Sequence, residues 1–311
     1  MNASFDYQTA FGRNLGLVSP EQQKRLRRAR VAIAGLGGVG GAEALALVRL
    51  GIGRFTLADL DTYELSNFNR QLGATMATIG RSKVEVTAEA ISAVNPTAEI
   101  RLVPEGITDE TIDEFLEGAD AVIDALDFSC FKERFLLYKR ARALGKWVLN
   151  IAPPGFGSTL LFFSPAGMTF EEYFGIHEGM SIDELSLSIM YGVMPVPIAI
   201  KYFDLKQINA SGGRFPCVSA AFFLVAGIAT AEVFNLLAGG NPPKSAPHVY
   251  QFDAFLRTYK SCYHWLGMRA PWHLLIKRLI YHKLKDATLE KLKSIPSPPR
   301  PTNCRIPQEL N

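Results

Sequence analysis

Short apolar runs alternate with amphipathic stretches through the first half of the chain. Residues 31–34, 55–61, 99–106, 119–127 and 146–152 read as strands, several of them apolar at nearly every position. Helical patterns separate them over 17–29, 41–53, 82–94, 107–118 and 131–145. Ser19-Pro20-Glu21 opens the first helix in the way helices commonly start, and Asn95-Pro96 closes a later one. Strands alternating with helices at this spacing predict an α/β fold, a doubly wound and mainly parallel sheet with helices on both faces. Uninterrupted apolar strands such as VAIA and AVIDAL fit that sheet, because both of their faces are covered.

Beyond Asn150 the pattern changes. Residues 153–163 read as a glycine-kinked turn into another strand, and 161–216 as an inserted loop or crossover segment without assignable elements. Residues 217–238 form one long apolar helix. Its length would cross a bilayer, but Glu232 and Asn235 lie inside it and no charged flank precedes it, so it is expected in the core. Residues 249–260 read as a last strand. The expected organisation is one domain over 1–260, followed by a tail over 261–311 with an amphipathic helix (272–284) and a Pro-rich, extended or disordered end.

Composition is that of a soluble globular protein, 48% hydrophobic and 20% charged, with a net charge of +3 that points to no particular partner. Its distribution says more: residues 260–311 carry +7 and the rest −4. Three readings of the basic tail stay open, namely packing on the body or on a dimer partner, contact with tRNA or another polyanion, and a membrane surface. The four cysteines form no C-x-x-C pair, so neither a disulfide scaffold nor a zinc site is expected. The N-terminal residues lack an apolar signal-peptide core, and a cytoplasmic location is expected, with no membrane-spanning segment.

Gly35-Leu36-Gly37-Gly38-Val39-Gly40 joins a predicted strand to a predicted helix. Such glycines let the backbone approach a phosphate, and the helix start offers free N–H groups to an anion. Asp59, 24 residues after Gly35 and at the end of the next strand, is placed to accept hydrogen bonds from ribose hydroxyls. These features alone favour a Rossmann-type NAD(P)-dependent oxidoreductase. The segment that follows, Asp59-Leu60-Asp61 to Asn67-Phe68-Asn69-Arg70-Gln71, shifts the balance. A nucleoside triphosphate needs such donors, because Arg offers a planar fork to phosphate oxygens and Asn or Gln can flank it. Lys83, twelve residues on, adds a second cation. Asp124 and Asp127 end another strand, where open α/β sheets bind ligands. Asp127 suits Mg²⁺ held against phosphate oxygens, and Asp124 a structural role.

Together these motifs, in this order and spacing, resemble the ThiF/MoeB/HesA adenylyltransferase family, which includes the adenylation domains of ubiquitin-activating enzymes. The resemblance covers residues 10–160 strongly and 217–260 weakly. It implies ATP and Mg²⁺ as cofactors and attack of a substrate carboxylate on the α-phosphorus. It also implies contacts from Gly35, Gly37, Gly38 and Gly40 to the nucleotide, with Asp59 and Asp61 near its ribose. Asn67, Arg70 and Gln71 would position phosphates, Lys83 would stabilise α-phosphate charge, and Asp127 would hold the metal. Arg13 in FGRNLG resembles the arginine that family members extend across a homodimer.

Several departures bear on the acceptor. No cysteine occurs between Phe131 and Pro216, paired C-x-x-C motifs are absent, and Phe128 stands where an Asn is common. A thioester step therefore has no support. A small carrier protein or peptide remains the preferred acceptor and tRNA-directed activation the alternative, with nucleic acid less favoured.

Overall fold

The computed structural model describes residues 4–203 and 216–288. Two short N-terminal elements, α1 (Tyr7–Phe11) and α2 (Pro20–Arg28), precede the sheet. Ser19 caps α2 as its sequence predicts: its side chain accepts from the N–H of Gln22, and the Gln22 side chain answers at the N–H of Ser19.

Next come β1 (Arg30–Ala34), α3 (Gly38–Leu50), β2 (Arg54–Ala58), α4 (Lys83–Val94), β3 (Glu99–Val103), α5 (Ile112–Leu116), β4 (Ala121–Asp124), α6 (Phe131–Ala143) and β5 (Val148–Ala152). The second part holds β6 (Gly157–Phe163), α7 (Phe170–Phe174), α8 (Ile182–Val193), α9 (Ser219–Phe234), β7 (His248–Asp253), β8 (Thr258–Tyr263) and α10 (Pro271–Thr288).

The strands form one eight-stranded sheet in the order β3-β2-β1-β4-β5-β6-β7-β8. Pairing is parallel from β3 to β5 and antiparallel from β5 to β8. Alternation along the strands splits the core in two. Val31 and Ile33 join α3 and α9 residues such as Leu47 and Val225 on one face. Ala32 and Val122 join Leu137, Phe170 and Leu185 on the other.

The apolar helix expected over 217–238 is α9, extended by a π-helical turn at Asn235–Gly239. By length and composition Ser219–Gly239 could cross a bilayer. However, Ala221, Val225, Ala229 and Val233, spaced by four, are fully buried against α3 and the sheet.

Three expectations are corrected. The helix expected over 107–118 is only the five residues of α5. Residues 249–260 are not one strand but the hairpin β7–β8, turned at Arg257 in a left-handed conformation (φ 52°), with Asp253 Oδ1 accepting from the N–H of Leu256. Third, the segment over 161–216 is not without elements, since it holds α7 and α8. The tail helix α10 packs on the body through polar side chains. His273 and Lys277 face inward (5% and 8% exposed), while Trp272, Leu275 and Leu279 face out (51%, 59% and 55%). Lys277 Nζ donates to Ser188 Oγ on α8 at 3.0 Å. His273 Nδ1 shares a hydrogen bond with the Tyr191 hydroxyl at 2.7 Å, and its Nε2 shares another with His264 at 2.9 Å. Burial, with His264 and Lys277 adding to it, pulls the His273 pKa down to about 4. The Pro-rich end of the tail lies outside the described residues, as do residues 204–215 of the segment over 161–216.

Candidate active site

Strand order reverses between β1 and β4, and the crevice at their carboxyl ends is where open α/β sheets bind ligands. The glycine loop crosses this point. Gly35 takes φ +90°, open to glycine at little cost, and a Cβ there would collide with the carbonyl of Ala125. Close approach also reserves Gly38 for glycine, against the Phe222 ring, and Gly40, against the carbonyl of Gly35. Gly37 differs: the space beside it is open apart from the Gln71 side chain, 3.6 Å from where a Cβ would stand. The amino end of α3 starts here, with N–H groups free to face an anion.

Asp59 ends β2 and anchors the loop. Its Oδ2 accepts from the N–H of Leu36 at 2.6 Å and its Oδ1 from that of Asp61 at 2.8 Å. Burial pushes its pKa up, more than Lys83 and the two N–H groups pull it back. Lys83 opens α4 behind the N-cap Ser82 and is buried, with Nζ 2.9 Å from Asp61 Oδ2. Burial lowers its pKa, but Asp59, Asp61 and Asp127 together outweigh that and hold it above the ordinary lysine value. Asp127 is exposed past the end of β4 and close enough to act on Lys83.

The loop between β2 and α4 supplies the polar string. Asn67 is buried and closes a 3-10 turn, its Oδ1 accepting from the N–H of Glu64 at 3.0 Å, so it shapes the loop. Arg70 donates to the carbonyl of Ser66 at 2.9 Å and to Asn69 Oδ1 at 3.0 Å. Buried Gln71 turns its Nε2 toward the open space at Gly37, where an amide N–H can donate to an anion, while its Oε1 has no hydrogen-bond partner among the described residues.

Gly37, Gly38, Arg70, Gln71 and Asp127 line a cleft of about 330 Å³, while Gly35, Gly40, Asp59, Asp61, Asn67 and Lys83 stand behind its wall. Arg13, on the exposed 3-10 turn Gly12–Asn14, is not in that wall. Asp124 has the structural role expected of it. Fully enclosed, it accepts from Arg134 Nε (2.8 Å), Tyr138 Oη (3.0 Å) and Asn150 Nδ2 (3.1 Å), tying β4 to α6 and β5. Phe128 is partly exposed at the cleft and packs edge-on against Phe131. No group of three His, Cys, Asp or Glu residues able to hold a metal occurs among the described residues. A metal here would rely on one carboxylate and on phosphate oxygens, the usual manner of Mg²⁺ beside a nucleotide.

Two further features were missed in the sequence. The opposite wall of the cleft comes from α7 and α8, whose starts were in fact signalled by Thr169-x-x-Glu172 and Ser181-x-x-Glu184, both capping boxes in the structure. The other is Glu43 on α3, fully buried with neither oxygen hydrogen-bonded among the described residues. Burial, with Asp124 nearby, pushes its pKa up to about 8.

Comparison with known proteins identifies relatives of the chain. Residues 11–264 match the ThiF family. Over 123 residues the chain is 40% identical to a tRNA threonylcarbamoyladenosine dehydratase of Bacillus subtilis, covering 39% of this chain and 48% of that protein. Over 129 residues it is 37% identical to a sulfur carrier protein adenylyltransferase of Thermus thermophilus, covering 42% and 47%. The match thus spans about half the length of these curated relatives. Among solved structures, E. coli MccB with ATP superposes with a TM-score of 0.59 at 19% identity, covering 80% of this chain and 67% of MccB. That likeness is one of fold. A doubly wound sheet, its glycine loop and a family match over most of the length lead to one assignment: the chain belongs to the ThiF family.

Proposed function

We propose that the chain is an Mg-ATP-dependent adenylyltransferase that activates a carboxylate, at the C-terminus or on a side chain of a small protein or peptide. The observation that carries this reading is Lys83, held charged among Asp59, Asp61 and Asp127 at the edge of the glycine loop. The ATP reading draws further support from two donors at the cleft, Arg70 in its wall and Gln71 Nε2 beside Gly37. In this scheme the 1–260 domain carries the reaction and Asp59 faces the ribose, with Asp61 beside it. Arg70 and Gln71 face the phosphates from a loop that Asn67 shapes. Asp127 would hold Mg²⁺, which supplies charge neutralisation at the phosphates. Arg13, outside its own cleft, fits a residue lent to a second subunit of a homodimer.

A carboxylate oxygen attacks the α-phosphorus and forms a new O–P bond. The bond to the β-phosphate oxygen breaks, and pyrophosphate leaves with the electron pair. No proton has to move, since the carboxylate is already ionised at neutral pH. Catalysis is then positioning and charge compensation by Lys83 and Arg70. The likeness to tRNA threonylcarbamoyladenosine dehydratases supports a second reading, in which the activated carboxylate is carried on tRNA. Calorimetric titration tests the nucleotide assignment. Mg-ATP is expected to bind and NADH not to bind, with Lys83→Ala and Asp127→Ala each weakening Mg-ATP at least about tenfold while the chain still folds. NADH binding in place of Mg-ATP would overturn it.

A further inference from the structure

Charge is unevenly shared around the cleft. Gln71 abuts Gly37, Arg70 adjoins it, and Asp127 lies within electrostatic reach of Lys83, so these polar groups belong to the glycine-loop end. Two other charged residues reach the wall, Asp124 and Arg134, but they are spent on each other. The side built by α7 and α8 is different in kind. It presents Phe174, Ile189, Met190, Val193 and Met194, with Phe203 beyond them, and no ionisable side chain among the described residues. Met190, Val193, Met194 and Phe203 are only half-buried, so their apolar surface is open to an occupant.

We propose that the acceptor acid carries a large apolar group, an aromatic or branched aliphatic side chain, next to the carboxylate that is activated. This inference rests on the adenylation reading and names the class of acid it takes. Glycine-ended or acidic tails would leave the α8 wall wet or face it with an unpaired charge, both of which cost binding energy. An apolar side chain there displaces water from Met190, Val193 and Phe203 while its carboxylate points toward Arg70 and the loop. Such contacts are worth roughly 1–3 kcal/mol, which is about 10–200-fold in discrimination.

The test is ATP–pyrophosphate exchange stimulated by N-acetylated dipeptides ending in Phe, Leu, Gly or Asp, with Mg-ATP binding followed separately. Phe- and Leu-ended peptides are expected to give kcat/KM at least about tenfold above Gly- and Asp-ended ones. Met190→Ser and Val193→Ser should each raise KM for the Phe-ended peptide while leaving Mg-ATP affinity unchanged and the chain folded. Equal exchange across the panel, or a preference for Gly or Asp ends, overturns the inference and leaves adenylation standing. Exchange with no peptide, while Mg-ATP still binds, also overturns it. Absence of Mg-ATP binding removes the adenylation reading itself.

Discussion

Lys83 Nζ stands 2.9 Å from Asp61 Oδ2, and the lysine of this pair is buried while the aspartate is half in solvent. Its charge is therefore kept by Asp59, Asp61 and Asp127 rather than by water. A lysine whose pKa is raised on folding contributes stability that is present below its ordinary pKa. That contribution is lost only as pH rises through the raised value. Mg-ATP affinity is accordingly expected to stay level from about pH 7.5 to about pH 9.5, a range in which an ordinary lysine is also charged. Titrations across this range check it, and a fall in affinity centred below pH 9 would mean that Lys83 loses its proton in the site.

Phe222 lies on Gly38 so closely that no side chain fits between them. Gly38→Ala should cost about 1–3 kcal/mol in urea denaturation, the usual range for overpacking. Phe222→Ala leaves a cavity on its own but should recover part of the Gly38→Ala loss, so the double variant should be more stable than the sum of the two changes allows. Strict additivity would place the two residues out of contact.

Glu43 offers a pH test of the core. Its folded pKa, about 8, lies well above that of an exposed glutamate, so it stays protonated in the fold after it would ionise in the unfolded chain. Its contribution is present below about pH 4.5 and is lost as pH rises through 8, with a slope of up to about 1.4 kcal/mol per pH unit. Glu43→Gln removes this term. Its Tm advantage over the native chain should therefore widen from pH 5 to pH 8. A constant difference would show that Glu43 titrates like a surface residue.

Most of the parallel half was legible because its signals are local. Strands buried on both faces are apolar throughout, and the loop glycines sit where the backbone needs them. The polar string after Asp59 could be read for the same reason, since Arg70, Gln71 and Lys83 lie within one connection between β2 and α4. The hairpin escaped because its turn at Asp253–Arg257 has no Gly, and Arg257 takes a conformation that turn residues usually leave to Gly or Asn. The tail helix escaped because its orientation is decided at a distance. His273 and Lys277 turn inward for Tyr191 and Ser188, more than eighty residues earlier, and no local periodicity carries that information.

That distant pairing makes α8 a shared wall. One side of it holds Ile189, Met190 and Val193 toward the cleft, while Ser188 accepts a hydrogen bond from the tail and Tyr191 shares one with it. The tail helix backs α8 from outside, and none of its described residues lines the cleft. A substitution at His273 or Lys277 therefore reaches the cleft only by way of α8, the element that presents Met190 and Val193 to it.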